Sequence, residues 1–181
     1  RPQRDGGGVG DRHRGHPEAA IASYQTSAGP KRGGTTPALT RFLGCRPTPL
    51  APVTAFIAHA SQSAVEPPYE AQMLAEVDRI GAAIPHDQLA IQWDTAVEFA
   101  ILESVIWKVH FADVHASIID RLVRLGERVP EDVEMGYHLC YGDAGHQHFV
   151  QPKDAANLVT VANAVSARVR RPINWIHLPV P

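Results

Sequence analysis

The chain has 181 residues, of which 44% are hydrophobic and 20% are charged, a composition typical of one globular domain. Its two cysteines are too few for a disulfide framework, and no stretch approaches the roughly 18 uninterrupted apolar residues that a membrane span needs. We therefore expect a cytoplasmic protein with no secretory signal and no membrane partner.

Residues 1–50 differ from the rest of the chain in charge and composition. They hold eight basic and three acidic residues, whereas residues 51–181 hold nine and sixteen. Gly, Pro, Arg and Thr dominate this segment, and apolar periodicity is nearly absent. Such a segment cannot bury enough apolar surface to offset the entropy of ordering it, so we expect it to be disordered or poorly ordered. A basic arm that binds nucleic acid is the alternative, but its basic residues cluster no further than pairs, and we expect no nucleic acid partner.

Residues 51–181 alternate between strand-like and helix-like patterns. Short runs rich in β-branched and aromatic residues predict strands at Val53–Ala58, Leu89–Trp93, Val133–Cys140 and Ile173–Pro179. Apolar residues at helical spacing predict helices at Tyr69–Ile84, Thr95–Ile106, Val114–Gly126 and Asp154–Val169. Glu66-Pro67-Pro68 would open the first of these helices, and Thr95 with Glu98 would form a capping box at the second.

The alternation of strands and helices predicts an α/β fold with a parallel sheet. Asp94, His138, Cys140 and His177 each end a predicted strand, which favours a (β/α)8 barrel, since catalytic residues of barrels come from those ends. A complete barrel has eight strands and about 250 residues. With four strands, we expect a partial TIM barrel of about four βα units, truncated, in which exposed sheet edges promote self-association.

The pair His138 and Cys140 is the sharpest candidate for a metal site. On a strand, two residues that are two positions apart point to the same side, and imidazole nitrogen and thiolate sulfur are zinc's preferred donors. Because two ligands do not make a site, others must come from neighbouring strands, and His177 is a candidate. The alternative is a half-buried histidine beside a small buried cysteine.

Asp94 is the candidate catalytic carboxylate. It shares a face with Gln92, and at a barrel mouth it can accept a hydrogen bond from a substrate amine or act as a base. A helix cap is the alternative role for Asp94. Gln92 and Asp94 are candidate substrate contacts. In the loop that follows Cys140, Asp143 and His146 are two more, although exposed loop histidines are also common.

Two short runs of residues resemble motifs of a known protein family. His138-Leu139-Cys140-Tyr141-Gly142-Asp143 resembles the His-x-Cys zinc motif in the C-terminal barrel of cobalamin-independent methionine synthase. Ile91-Gln92-Trp93-Asp94 is similar to that family's Gln-x-Asp-Glu-Pro strand. More broadly, residues 48–181 resemble small bacterial proteins of the methionine-synthase and uroporphyrinogen-decarboxylase barrel superfamily.

The resemblance implies that His138 and Cys140 bind zinc and that Asp94 contacts an amino acid substrate. In the synthases zinc lowers the pKa of the homocysteine thiol, and the thiolate attacks the methyl group of methyltetrahydrofolate. The chain departs from the family in three respects. Thr95-Ala96 replaces Glu-Pro, His177 stands where the family has a glutamate ligand, and the second zinc cysteine would lie beyond Pro181.

Three hypotheses follow from these residues. The first is a zinc-dependent methyl transfer to a homocysteine-type thiol, with activity in doubt if the chain is truncated. The second is a metal-free enzyme related to uroporphyrinogen decarboxylase, in which Asp94 is the acid–base group and His138 an orienting donor. The third is a non-enzymatic remnant or binding protein. In the first two, the partner is a small molecule.

Overall fold

The computed structural model describes residues 16–106, 108–143 and 145–179. In chain order, its elements are α1 (His16–Arg32), β1 (Phe42–Pro47), α2 (Leu50–Phe56), α3 (His59–Ala83), β2 (Leu89–Asp94), α4 (Ala96–Leu102), α5 (Val114–Arg128), β3 (Glu134–His138), α6 (Ala156–Arg168) and β4 (Trp175–His177). A short 3-10 turn, His86–Gln88, precedes β2. The fold is α/β, as the alternating patterns predict.

The four strands form one parallel sheet in the order β1-β2-β3-β4. Alternate residues of each strand point to opposite faces. On one face Trp93, Met135 and Tyr137 are fully buried against the helices. Tyr137, for example, donates a hydrogen bond from its hydroxyl to the Leu122 carbonyl of α5 at 2.7 Å. The helices thus cover this face and form the core with it.

The opposite face of the sheet is more polar and more open. Leu43 of β1 is 45% exposed there, and Cys45 is also exposed. His138 is half-buried and His177 is exposed. Gln92 is the buried polar residue of this face. We call this side of the sheet its open face.

The predicted disorder of residues 1–50 is wrong for the described part of that segment, while residues 1–15 lie outside the described residues. From His16 the chain forms α1, and Phe42–Pro47 forms β1. Tyr24 of α1 packs edge-on against Phe42, with ring centroids 5.9 Å apart, and donates a hydrogen bond to Gln88 at 3.0 Å. These long-range contacts supply the burial that the local sequence lacks.

The predicted strand Val53–Ala58 is also wrong, because Leu50–Phe56 forms helix α2. Its buried residues, Leu50 and Val53, are three positions apart, which is the spacing of one helical face. The place of a first strand is taken by β1. Glu66-Pro67-Pro68 lies inside α3 and does not open it.

The other elements follow the predicted order with shifted ends. Leu89–Asp94, Val114–Arg128 and Ala156–Arg168 agree with the predictions to within two residues. Strand β3 ends at His138, so Cys140 lies beyond it. The Thr95–Glu98 capping box does not form, because the Thr95 hydroxyl donates to the His138 carbonyl at 2.9 Å.

Candidate active site at the carboxyl edge of the sheet

Three predicted site residues lie side by side where the strands end. Asp94 of β2 is in register with His138 of β3, and His138 is in register with His177 of β4. Neighbouring parallel strands are about 4.8 Å apart, so the three residues form a row across the carboxyl edge of the sheet. The parallel register thus brings together residues that are far apart in the chain.

The two histidines of this row touch. Their Nδ1 atoms are 2.9 Å apart, and their ring centroids are 4.5 Å apart. A hydrogen bond between the two nitrogens requires one to carry a proton and the other to accept it. Burial lowers the pKa of His138, and the neighbouring His177 lowers it further, whereas Asp94 raises it. The neutral form of His138 is therefore favoured, and a neutral imidazole can coordinate a metal ion.

The Asp94 carboxyl is half-buried and has a specific partner. Gln92 donates a hydrogen bond from Nε2 to Asp94 Oδ1 at 2.9 Å. Burial raises the pKa of Asp94 above its usual value, and Gln92, His138 and His177 only partly oppose that rise. A carboxyl with a raised pKa at a strand end suits a group that exchanges protons.

A second row of residues lies on the same face, two residues earlier along each strand. Cys45, Gln92, Gly136 and Trp175 are in register across all four strands. Gln92 Nε2 is 3.6 Å from the Cys45 sulfur, and Trp175 donates from Nε1 to Gln92 Oε1 at 3.0 Å. Burial raises the pKa of the Cys45 thiol, and Asp94 raises it further.

Cys45 and Trp175 are two residues of the open face that the sequence patterns did not single out. Trp175 precedes His177 by two residues, as Gln92 precedes Asp94, so the period of two along the strands could have placed it on the open face. Cys45 gives less signal, because no apolar pattern marks β1 as a strand.

Cys140 is half-buried just after β3. Burial raises the pKa of its thiol, the Gly142 backbone N–H lowers it, and Asp94, Glu98 and Asp143 raise it. In the part of the chain that the structure describes, no three His, Cys, Asp or Glu side chains are grouped so that they could hold a metal ion. Of the predicted ligands, His138 and His177 lie together, and Cys140 does not complete a group of three with them.

Asp143 and His146 lie exposed on the loop after Cys140. The His146 backbone N–H donates to the Asp143 carbonyl at 3.1 Å, and His146 has a positive φ of 58°. This is a tight turn, and neither residue has a side-chain hydrogen bond to the row of Asp94, His138 and His177. Beside the loop is a cavity of about 300 Å³, whose lining includes Tyr141, His148, Lys153, Leu158 and Pro179.

Comparison with known protein families, with curated proteins and with solved structures finds no match to this chain. Within the described residues, no helix is both long enough and apolar enough to cross a membrane.

Proposed function

We propose that the chain is part of a (β/α) barrel that carries out a methionine-synthase-like, zinc-dependent methyl transfer to a homocysteine-type thiol. The observation that carries this proposal is the row of Asp94, His138 and His177 at the carboxyl ends of three adjacent strands. Barrel enzymes have their active sites at this end of the sheet.

Strand order and helix placement support the barrel. A doubly wound sheet reverses its strand order and has helices on both faces. Here the strands are ordered as in the chain, and the helices pack on the face of Trp93, Met135 and Tyr137. The open face would then be the barrel interior, and the outer strands β1 and β4 would be the edges available for further strands or for self-association.

The two histidines suit zinc in chemistry and in spacing. Zinc holds imidazole nitrogens at about 2.0–2.1 Å, so two nitrogens on one tetrahedral ion are about 3.3 Å apart. The Nδ1 atoms of His138 and His177 are 2.9 Å apart, so a small outward movement of the rings would admit the ion. These two residues would hold the ion. Cys140, the predicted sulfur donor, would have to move toward them, because among the described residues it does not complete a group of three with the two histidines. Bound zinc would lower the pKa of a substrate thiol, which would supply a nucleophile near neutral pH.

The remaining roles belong to the protein's own side chains. Asp94 would accept a hydrogen bond from the substrate's amino group, and Gln92 would keep the carboxylate turned toward it. Asp143 and His146 remain predicted substrate contacts from the loop, next to the cavity lined by Tyr141 and Lys153. The substrate would be a small molecule, and we expect a cytoplasmic location.

Zinc binding tests the metal part of this proposal. Elemental analysis of the purified protein should find zinc, and calorimetric titration should show that His138→Ala and His177→Ala each weaken zinc binding by at least roughly 10-fold, an effect usual even for groups that only support a ligand. Cys140→Ala should also weaken it. His115→Ala is the matched control, because His115 is exposed on α5. If the protein contains no zinc and the three variants bind added zinc like the wild type, the metal site is wrong.

A metal-free reaction related to uroporphyrinogen decarboxylase is the second candidate. The raised pKa of Asp94 favours it, since a general acid needs a carboxyl that holds its proton. On this hypothesis Asp94→Asn abolishes decarboxylation of an acidic substrate, whereas Cys140→Ala leaves it intact. Under the zinc proposal, Cys140→Ala reduces methyl transfer to the thiol.

A further inference from the structure

Gln92 has a hydrogen-bond partner for each of its amide groups. Its Oε1 accepts from the Trp175 indole, and its Nε2 faces Asp94 Oδ1 and the Cys45 sulfur. An indole N–H can only donate, so it must meet the amide oxygen and not the amide nitrogen. Trp175 therefore fixes the orientation of the Gln92 amide, in which the Gln92 N–H groups face Asp94.

Trp175 reaches Gln92 across a strand that has no side chain at that level. Gly136 of β3 lies between them in the register, so the indole spans two interstrand spacings of about 4.8 Å. A Cβ atom at Gly136 would lie 2.5 Å from the indole nitrogen, far inside van der Waals contact. The indole thus occupies the space that a side chain at position 136 would fill.

We propose that Trp175 is a positioning residue for Asp94, acting through Gln92 across the gap left by Gly136. The importance of Asp94 itself rests on the proposed function. The contacts from Trp175 through Gln92 to Asp94 require neither zinc nor a methyl donor. Trp175 holds the amide, the amide donates to Oδ1, and the carboxylate is turned by that bond.

Trp93 supplies a matched control. It is on the same strand as Gln92 but on the helix-covered face, it is fully buried, and its Nε1 has no hydrogen-bond partner among the described residues. Trp93→Phe and Trp175→Phe therefore each remove one indole N–H, but only the second should disturb Asp94.

The test uses NMR of the ¹³C,¹⁵N-labelled full chain at the single pH of 8. We expect Trp175→Phe to shift the Asp94 ¹³Cγ signal and the Gln92 side-chain Nε2 signal, and Trp93→Phe to leave both in place. Gly136→Ala should reproduce the Trp175→Phe shifts, because it displaces the indole without removing it. Asp94 and Gln92 signals that respond to Trp175→Phe no more than to Trp93→Phe would overturn the proposal.

A second measurement covers the case in which Trp175→Phe does not fold. In Gln92→Leu the Trp175 indole loses its acceptor, so its ¹⁵Nε1–H signal should move while that of Trp93 stays. An unmoved Trp175 signal would mean that the hydrogen bond to Gln92 does not form, and the proposal would fall. No metal or substrate is added in these NMR measurements. A failure of zinc binding or of methyl transfer would therefore be distinguishable from a failure of this proposal.

Discussion

Two glutamates of this protein are buried in different regions, and their pKa values are shifted in opposite directions. Glu66 lies on α3 and faces α5, 6% exposed, and Glu98 lies at the start of α4, 0% exposed. Burial raises the pKa of both carboxyls, but in Glu66 the hydrogen bonds from Arg121 and His110 outweigh it and the pKa ends below its usual value. In Glu98 burial raises the pKa to about 7.

The partners account for the difference. Arg121 donates to both oxygens of Glu66, at 2.6 and 2.8 Å, and His110 Nε2 is 2.6 Å from Oε2. Glu98 accepts one hydrogen bond from the Thr48 hydroxyl at 2.5 Å, and within the described residues its Oε2 has no hydrogen-bond partner. The pKa of a buried carboxyl thus falls where cations meet it, and it rises where the hydrogen bonds that it accepts are too weak to offset its burial.

The cluster around Glu66 also includes His110. The Gln62 Nε2 group donates to the Ile57 carbonyl at 3.0 Å, so its Oε1 is the atom that faces His110 Nδ1 at 3.1 Å. His110 Nε2 faces the Glu66 carboxylate. These two contacts fasten the segment before α5 to α3.

Glu66→Gln should have the largest effect on stability. It leaves the Arg121 guanidinium and the His110 ring without the carboxylate that both contact, and breaking a buried ion pair costs about 3–5 kcal/mol. Urea unfolding at pH 7, followed by circular dichroism, measures the loss. A loss below about 1 kcal/mol would show that the buried pair contributes no more than a surface pair does.

Glu98→Gln should stabilise the protein at alkaline pH. The folded-state pKa of about 7 is above the ordinary glutamate pKa of 4.5, so the folded state holds the proton more tightly and stability falls as pH rises between these values. Above pH 7 the cost reaches about 3 kcal/mol, at 1.36 kcal/mol per pKa unit. Glutamine cannot ionise and avoids this cost.

The measurement for Glu98 is the free energy of unfolding of both proteins at pH 5 and pH 8. The variant should gain about 2–3 kcal/mol on the wild type between these two values. The same difference between the two proteins at both pH values would contradict a raised pKa for Glu98. Other titrating groups affect both proteins alike and cancel in the comparison.

Glu70→Gln should have the smallest effect and sharpens the comparison with Glu66. Glu70 pairs with Arg124 at 2.8 and 2.9 Å and joins the same two helices, but the Arg124 side chain is 53% exposed. Solvent-exposed pairs contribute about 0.2–1 kcal/mol. Urea unfolding in 0.05 M and 0.5 M salt checks this, and a loss as large as that of Glu66→Gln would remove burial as the cause of the difference.

Much of the fold could be predicted from local patterns. Strand β2 follows from an unbroken apolar run, and α5 from apolar residues at helical spacing. Strand β1 could not be predicted, because Gly44, Arg46 and Pro47 interrupt any apolar pattern, and its pairing with β2 stabilises it. The β-branched Val53-Thr54 suggested a strand where packing selects helix α2.

For the candidate site, local sequence patterns are enough to place Asp94, His138 and His177 at the ends of strands, because strand ends are a local property. Tertiary structure alone decided which side chains meet, since contacts depend on the register between strands. Trp175 reaches Gln92, 83 residues away, only because Gly136 leaves room between them. The pKa shifts of Glu66 and Glu98 also follow from the tertiary structure, which buries both carboxyls and brings them partners 44 to 55 residues distant in the chain.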